Sequence, residues 1–144
     1  MASFSVEGLD DVIRSLEKAD LFTPENAAEM VNAGAEVIKE SLGRELQASS
    51  FDIGKFTGNL TYSERAKRGR NGDYFTSITA KGNAGSGQRL ATVLFVLNYG
   101  RSERYGQIQG GYFWTRGTKN AEDPATAAVE AVAEKLLREA GLLD

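Results

Sequence analysis

The sequence predicts an α+β domain in which an antiparallel sheet of three to four strands packs against a long N-terminal helix and a C-terminal helix. Two observations carry this prediction: apolar residues recur at helical spacing near both ends of the chain, and alternating segments separated by glycine-rich turns lie between them. Helices grouped around an antiparallel sheet form an α+β architecture. A length of 144 residues with 41% hydrophobic residues fits a single domain, 1–144, with one core.

The first elements are a short edge strand at Phe4–Val6 and an amphipathic helix that ends near Ala19. The helix is predicted from apolar residues three and four apart, namely Leu9, Val12, Ile13 and Leu16. Asp10 and Asp11 fall in its first turn, where the helix dipole favours acidic side chains.

The second helix begins at Thr23–Pro24, which combines an N-cap residue with proline at the first helical position. Its apolar stripe consists of Ala27, Val31, Ala35, Ile38, Leu42 and Leu46. About 25 residues correspond to about 37 Å of helix. Ser49–Ser50 ends the pattern, and Gly34 and Gly43 are expected to allow close packing against the sheet.

The middle of the chain predicts a three-stranded meander. After a loop at 51–58, strands are indicated at Leu60–Tyr62 and Tyr74–Ile78, with a hairpin turn at Gly69–Gly72. The glycine-rich segment Gly82–Gly87 is interpreted as a second turn that connects two strands. The nearly all-apolar run Leu90–Leu97 then predicts a strand covered on both faces, either central in the sheet or buried at an interface.

Residues at about 100–120 show no periodicity and are predicted to form a long flexible loop. Loops of this length inside a domain are usually functional or become ordered on binding. Arginines alternate with aromatic residues here, and both types are enriched at protein–protein interfaces. The candidate interface residues are Arg101, Arg104, Tyr105, Tyr112, Phe113, Trp114 and Arg116. Stacking of nucleic-acid bases on these aromatic rings is the alternative.

The C-terminal helix is predicted to start at Asp123–Pro124, which repeats the signal of an N-cap followed by proline. Its apolar stripe consists of Ala128, Val129, Val132, Ala133, Leu136, Leu137 and Ala140. Gly141 is the expected C-terminal cap.

The composition argues against an enzyme. The chain has neither His nor Cys, so common nucleophiles, bases and zinc ligands are missing. Carboxylates such as Glu122, Asp123, Glu130 and Glu134 are interpreted as solvated helix charges, and we expect no catalytic residues, metal or cofactor. The longest uninterrupted apolar stretch, Val93–Leu97, is too short to cross a bilayer. Without cysteine or a signal-peptide pattern, synthesis in a cytoplasm is expected.

Charge is divided along the chain. Residues 1–50 carry ten acidic and four basic side chains, residues 51–120 carry four and eleven, and residues 121–144 carry six and two. Such a division lets copies of a protein attract each other, or other partners, through unlike faces. The simpler interpretation is that surface helices favour acidic residues.

A basic hairpin lies within the positive region and is formed by Arg65, Lys67, Arg68 and Arg70. Three interpretations stay open for these residues. They are solvated turn charges, contacts for an acidic protein partner, or contacts for nucleic-acid phosphates.

Three short signatures occur in a meaningful order. They are Val6–Val12 at the first helix, Thr57-Gly58-Asn59-Leu60 after the long helix, and Phe95–Gly100, an apolar segment ending in aromatic–glycine. Together with the order of elements, they resemble the head–tail joining, or tail-completion, family of long-tailed bacteriophages. The chain departs from that family at Lys55–Phe56, where the family commonly has proline, and at Tyr112–Trp114, where it often has a Pro-x-Pro-Phe stretch.

The resemblance implies a structural virion protein of the phage neck rather than an enzyme. Such a protein is expected to form a homo-oligomeric ring, commonly a hexamer, at the head-proximal end of the tail. Its expected partners are head connector or stopper proteins and tail tube or terminator proteins, with DNA only as passing cargo and no membrane. Two alternatives stay open: a tail terminator protein and a small nucleic-acid-binding accessory protein.

Overall fold

The computed structural model describes residues 2–5, 10–70, 72–85, 87–102 and 106–142, with residues 2–5 and 10 described by their backbone alone. The fold is α+β, as predicted, with two long helices and a small antiparallel sheet. The elements in chain order are β1 (Ala2–Ser5), α1 (Asp10–Lys18), α2 (Pro24–Ala48), a 3₁₀ segment (Gly54–Asn59), β2 (Leu60–Thr61), β3 (Lys67–Arg68), β4 (Tyr74–Ala80), α3 (Leu90–Tyr99), β5 (Gly100–Arg101), β6 (Ile108–Gln109) and α4 (Phe113–Glu139).

Helix α2 forms the centre of the fold and starts where the sequence predicts. The Thr23 hydroxyl accepts a hydrogen bond from the Asn26 N–H at 3.2 Å, which satisfies one of the free donors at the helix start. The predicted stripe of six apolar residues is buried along its whole length. Ser49 is the C-terminal cap, so both predicted ends of this helix are confirmed.

Helices α2 and α4 pack side by side in opposite directions. Ser41 Oγ donates to the Gly117 carbonyl at 2.7 Å, and Lys135 Nζ lies 3.1 Å from Glu29 Oε1 near the other ends of the two helices. Between these contacts α4 buries small side chains spaced four residues apart, Ala121, Ala125, Val129 and Ala133. Small residues at this spacing let the two backbones approach closely.

The sheet has β4 as its central strand. Phe75 pairs with Ser5 of β1 and also with Lys67 of β3, so β1 and β3 lie on opposite sides of β4. Buried and less buried residues alternate along β4, with Tyr74, Thr76 and Ile78 facing the helices. The predicted strands at 60–62 and 74–78 and the turn at 69–72 are therefore confirmed, and β1 is an edge strand as expected. The turn, however, joins β4 to the short strand β3, which was not predicted, while β2 pairs with the far end of β4.

The segment between α2 and β2 closes the core under the end of α2. Ile53 is buried, and Phe51 and Phe56 are partly buried against the same cluster. A methyl group on Gly43 would lie 2.8 Å from Thr57 Cγ2. Gly43 thus allows close packing, as predicted, but against the 3₁₀ segment rather than against the sheet.

The run Leu90–Leu97 is a helix, and its prediction as a strand was wrong. Helix α3 covers this run and extends to Tyr99. Only Leu90, Leu94 and Asn98 are buried, and their spacing of four residues matches one side of a helix. A continuous apolar run carries neither the strand period nor the helix period, so its contacts with the core decide its structure.

The turn before α3 also differs from its prediction. Gly82–Gly87 connects a strand to a helix, not two strands. The Leu90 N–H donates to the Gly82 carbonyl at 3.0 Å, and the Ala84 N–H donates to the Gln88 carbonyl at 2.7 Å. The Gly82 carbonyl and the Ala84 amide of this segment therefore bond to neighbouring parts of the chain.

The C-terminal helix starts eleven residues earlier than predicted, at Phe113 rather than at Pro124. It begins at Phe113, so the expected loop at 100–120 is wrong beyond residue 112, and the remaining segment contains the short strands β5 and β6. Pro124 lies inside α4 rather than at its first position. The predicted C-terminal cap is confirmed: Gly141 has φ +75°, and the Leu142 N–H donates to the Leu137 carbonyl at 2.9 Å. Within the described ranges, no helix is both long and apolar enough to cross a membrane.

Candidate protein-docking surfaces

Asn98 joins the end of α3 to the start of α4. Its Oδ1 accepts hydrogen bonds from the Trp114 N–H at 2.9 Å and the Thr115 N–H at 3.3 Å, and its Nδ2 donates to Thr115 Oγ1 at 3.0 Å. The α4 cap residue, Tyr112, has a left-handed backbone and makes no side-chain cap. Asn98 therefore supplies the cap from a neighbouring helix and is itself only 1% exposed.

The hydrogen bonds of the Asn98 side chain fix which side of α3 faces solvent. Leu90 and Leu94 share the buried side with Asn98, so Phe95 and Tyr99 are turned outward. Phe95 is 60% exposed and Tyr99 is 54% exposed. A helix that is apolar on nearly all sides is normally buried on all sides, but α3 is buried on only one.

The exposed rings of Phe95, Tyr99 and Tyr112 form a continuous aromatic surface. The Phe95 and Tyr99 ring centroids are 4.8 Å apart, and the Tyr99 and Tyr112 centroids are 6.4 Å apart. Tyr112 is 50% exposed. Contiguous exposed aromatic residues are typical of protein–protein contact sites.

A hollow beside the aromatic surface is lined by a residue whose indole N–H is a buried hydrogen-bond donor without a described acceptor. Trp114 lines this hollow together with Phe95 and Tyr99. Its indole Nε1–H is buried and has no hydrogen-bond partner among the residues that the structure describes. A buried donor of this kind costs free energy unless an acceptor is supplied from elsewhere.

The predicted interface residues of the 100–120 segment have several different environments. Tyr112 is exposed, as an interface residue requires, whereas Phe113 is 1% exposed and belongs to the core, so its assignment to the interface was wrong. Trp114 is partly buried against the core. Arg104 and Tyr105 lie outside the described residues.

The two described arginines of this segment bond to their own chain. Arg116 contacts Glu45 Oε2 at 3.1 Å and donates to the Gly111 carbonyl at 2.8 Å. Arg101 Nε donates to the Gly106 carbonyl at 2.6 Å. Both are exposed, and each is already held in place by these contacts.

A second candidate surface lies on the side of the sheet that faces away from α2. Phe75, Ser77 and Thr79 alternate with the buried residues of β4 and therefore point outward. The cations Arg65, Lys67 and Lys81 line the same shallow groove, and no carboxylate occurs among its described lining residues. We call these six residues the basic sheet surface.

The predicted basic hairpin is divided between the two faces of the sheet. Lys67 lies directly opposite Phe75 and shares its outer face, whereas the guanidinium of Arg68 lies 5.5 Å from the centre of the buried Tyr74 ring. Arg70 is exposed at the turn. Arg65 and Lys67 thus belong to one surface, Arg68 does not, and sequence reasoning missed Lys81.

Sequence reasoning also missed Phe95 and Tyr99, because the run that contains them was interpreted as a strand. One signal could have found them. The apolar run from Leu90 to Tyr99 has ten residues, which is long for a strand and typical of a short helix. In a helix, Phe95 and Tyr99 are four residues apart and share one face.

In the described ranges, no cluster of three acidic, histidine or cysteine residues could hold a metal ion. Burial, and then a 2.8 Å hydrogen bond to Glu36 Oε2, raise the pKa of Tyr62 to about 12. This shift stabilises the neutral phenol, which acts as a donor between the sheet and α2.

Comparisons with known proteins give no further information on these surfaces. No protein-family model, no curated protein and no solved structure matches the chain.

Proposed function

We propose that the protein is a non-enzymatic structural component of the bacteriophage neck. In this role it joins a tail to a head connector by docking onto other virion proteins through the aromatic surface of Phe95, Tyr99 and Tyr112. It resides in the virion, in a ring at the head-proximal end of the tail. The neck assignment comes from the resemblance of the sequence, and the docking mode comes from the geometry of α3.

The observation that carries the docking proposal is the exposure of α3. Two of its rings, Phe95 and Tyr99, are more than half exposed and contact each other at 4.8 Å. Burying exposed aromatic surface contributes about 25 cal/mol per Å². Large rings at the centre of an interface also dominate its binding free energy. The helix is therefore best explained as one side of an interface.

The hollow next to these rings indicates what the partner must offer. Its lining is mainly apolar and includes Leu94, Phe95 and Trp114, so it suits an apolar side chain of the partner. Asn98 holds this site in place, because it lies in α3 and its side chain bonds to Trp114 and Thr115 of α4. A preformed site of this kind lowers the ordering cost of docking.

The experiment is a joining assay with heads and tails of the parent phage that lack this chain. We expect Phe95→Ser combined with Tyr99→Ser to lower the yield of joined particles by about tenfold or more. The thermal unfolding midpoint should change little, because both side chains are exposed.

Leu142→Ser is the matched control, since Leu142 is 59% exposed and lies beyond the far end of α4. This variant should join particles as well as the unmodified chain does. If the Phe95 and Tyr99 variant also joined particles normally, the aromatic surface would not be the docking site. If particles without the chain carried firmly attached tails, the neck function itself would be wrong.

A further inference from the structure

We propose that the basic sheet surface of one copy binds an acidic stripe on α4 of a second copy. The stripe consists of Asp123, Glu130 and Glu134. This contact rests on the proposed function, because it describes how neighbouring copies would join within the ring. It uses residues other than the aromatic surface, which stays available to the head and tail proteins.

The basic sheet surface has charges without internal partners. Arg65, Lys67 and Lys81 are exposed, and none forms an ion pair among the described residues. The groove between them is lined by hydroxyl groups and by the half-buried ring of Phe75. Unpaired cations around a partly apolar groove favour an acidic partner with some apolar surface.

The acidic stripe has the complementary properties. Glu130 follows Asp123 by seven residues and Glu134 follows Glu130 by four, so the three carboxylates lie on one side of α4. All three are exposed and have no described ion pair. The exposed methyl group of Ala127 lies between them and offers a small apolar contact for the groove.

The two charged surfaces also agree in length. Lys67 lies opposite Phe75, and Lys81 lies six residues further along the line of β4, which corresponds to about 20 Å. The stripe from Asp123 to Glu134 rises about 16 Å along α4. Lysine side chains are long enough to cover the difference, so both ends of the stripe can be contacted at once.

The proposed contact is head-to-tail, because it joins two different surfaces of the same chain. The basic sheet surface and the acidic stripe belong to different elements and do not overlap, so one copy can use both surfaces simultaneously. Contacts between unlike surfaces generate a ring when the rotation closes. Such an arrangement also explains why a chain with a net charge of −3 separates its charges so strongly.

Nucleic acid is the less favourable occupant of the groove. Binding of single strands relies on several stacked aromatic rings, whereas two rings, Phe75 and Tyr62, occur among the described lining residues of this groove. The Tyr62 hydroxyl is already bonded to Glu36 of α2, which leaves Phe75 as the ring on the outer face of the sheet. The sequence pI of about 5.1 also differs from that of a dedicated nucleic-acid-binding domain.

The test uses two charge-reversal variants of the full chain: Lys67→Glu with Lys81→Glu, and Glu130→Lys with Glu134→Lys. Sedimentation is measured at low ionic strength and high protein concentration. The unmodified chain should self-associate, and each variant alone should show a dissociation constant about tenfold higher or more. An equimolar mixture should associate again with one-to-one composition, because each reversed surface matches the reversed surface of the other variant.

Lys18→Glu with Arg44→Glu is the matched control, because both side chains are exposed and belong to neither of the two surfaces. This variant should associate like the unmodified chain. The proposal is overturned if the unmodified chain stays monomeric, or if the mixture fails to associate. It is also overturned if the Lys67 and Lys81 variant loses only DNA binding, which would assign the groove to nucleic acid. None of these results decides the neck function, which the joining assay tests separately.

Discussion

At the scale of single residues, Asn98 organises the candidate docking site. Its amide serves as the N-terminal cap that α4 lacks, because the residue in the cap position, Tyr112, makes no side-chain cap. The same three hydrogen bonds fix the orientation of α3 relative to α4. One buried polar side chain thus determines that Phe95 and Tyr99 point outward.

Asn98→Ala should destabilise the fold by about 1–3 kcal/mol, because it leaves buried N–H groups of α4 without an acceptor. Asn98→Asp keeps the accepting oxygen and places a negative charge at a helix N-terminus, so it should cost less than the alanine variant. Chemical denaturation measures both. Equal costs for the two variants would show that packing, rather than capping, is the role of Asn98.

Tyr62 gives the protein a specific sensitivity to alkaline pH. Its pKa is raised to about 12, first by burial and then by the hydrogen bond to Glu36. Because the folded state holds the phenol proton more tightly than the unfolded state, the stabilisation is complete below pH 10. It is lost as the pH rises from about 10 to about 12.

Tyr62→Phe removes this titration, and we expect the stability of the variant to fall less steeply over that pH range. The measurement is the denaturation midpoint of both proteins at several alkaline pH values, compared as a difference so that other titrating groups cancel. Parallel curves for the two proteins would contradict the shifted pKa.

At the scale of elements, the packing of α4 against α2 overrides a local stop signal. Pro124 lacks the N–H that a helix interior uses, and proline at such a position costs about 3 kcal/mol. The helix nevertheless runs without a break from Phe113 to Glu139, because residues on both sides of Pro124 pack against α2. Gly117 and Ala121 lie before the proline, and Val129 and Ala133 lie after it.

Gly117→Ala should destabilise the protein by about 1–2 kcal/mol, although alanine is the better helix former by about 1 kcal/mol. A methyl group at this position would lie 2.9 Å from Leu42 Cδ2 and 3.3 Å from Leu42 Cα. The two helices would have to separate, which would also weaken the bond from Ser41 to the Gly117 carbonyl. Thermal unfolding of the variant measures the change.

Ala127→Gly is the control for this substitution, since Ala127 is exposed on the same helix. It should cost about 1 kcal/mol through helix propensity alone. An increase in stability for Gly117→Ala would mean that the close approach of α2 and α4 is not needed.

At the scale of the whole molecule, the chain separates two kinds of contact. The aromatic surface lies where α3 meets α4, and contacts made there depend mainly on apolar burial, which salt weakens little. The basic sheet surface and the acidic stripe depend on charge, which salt screens over about 10 Å at 0.1 M. Ionic strength can therefore distinguish contacts between copies from contacts with other proteins.

The elements whose ends carry strong local signals could be predicted from the sequence alone. Thr23–Pro24, Ser49 and Gly141 mark helix ends through hydrogen bonds within a few residues of each position, so no distant part of the chain is needed to predict them. The hairpin between β3 and β4 follows in the same way from its glycines and the alternation of β4.

Helix α3, the start of α4 and the candidate surfaces depend instead on packing between distant parts of the chain. The run Leu90–Tyr99 is apolar on nearly every side, so its helical form depends on which residues contact the core and on the hydrogen bonds between Asn98 and α4. The start of α4 at Phe113 depends on packing against α2, which outweighs the cost of Pro124. Phe95 and Tyr99 are exposed because the contacts of α3 with the core and with the start of α4 decide which side of α3 faces solvent. Those contacts involve residues that are distant in sequence.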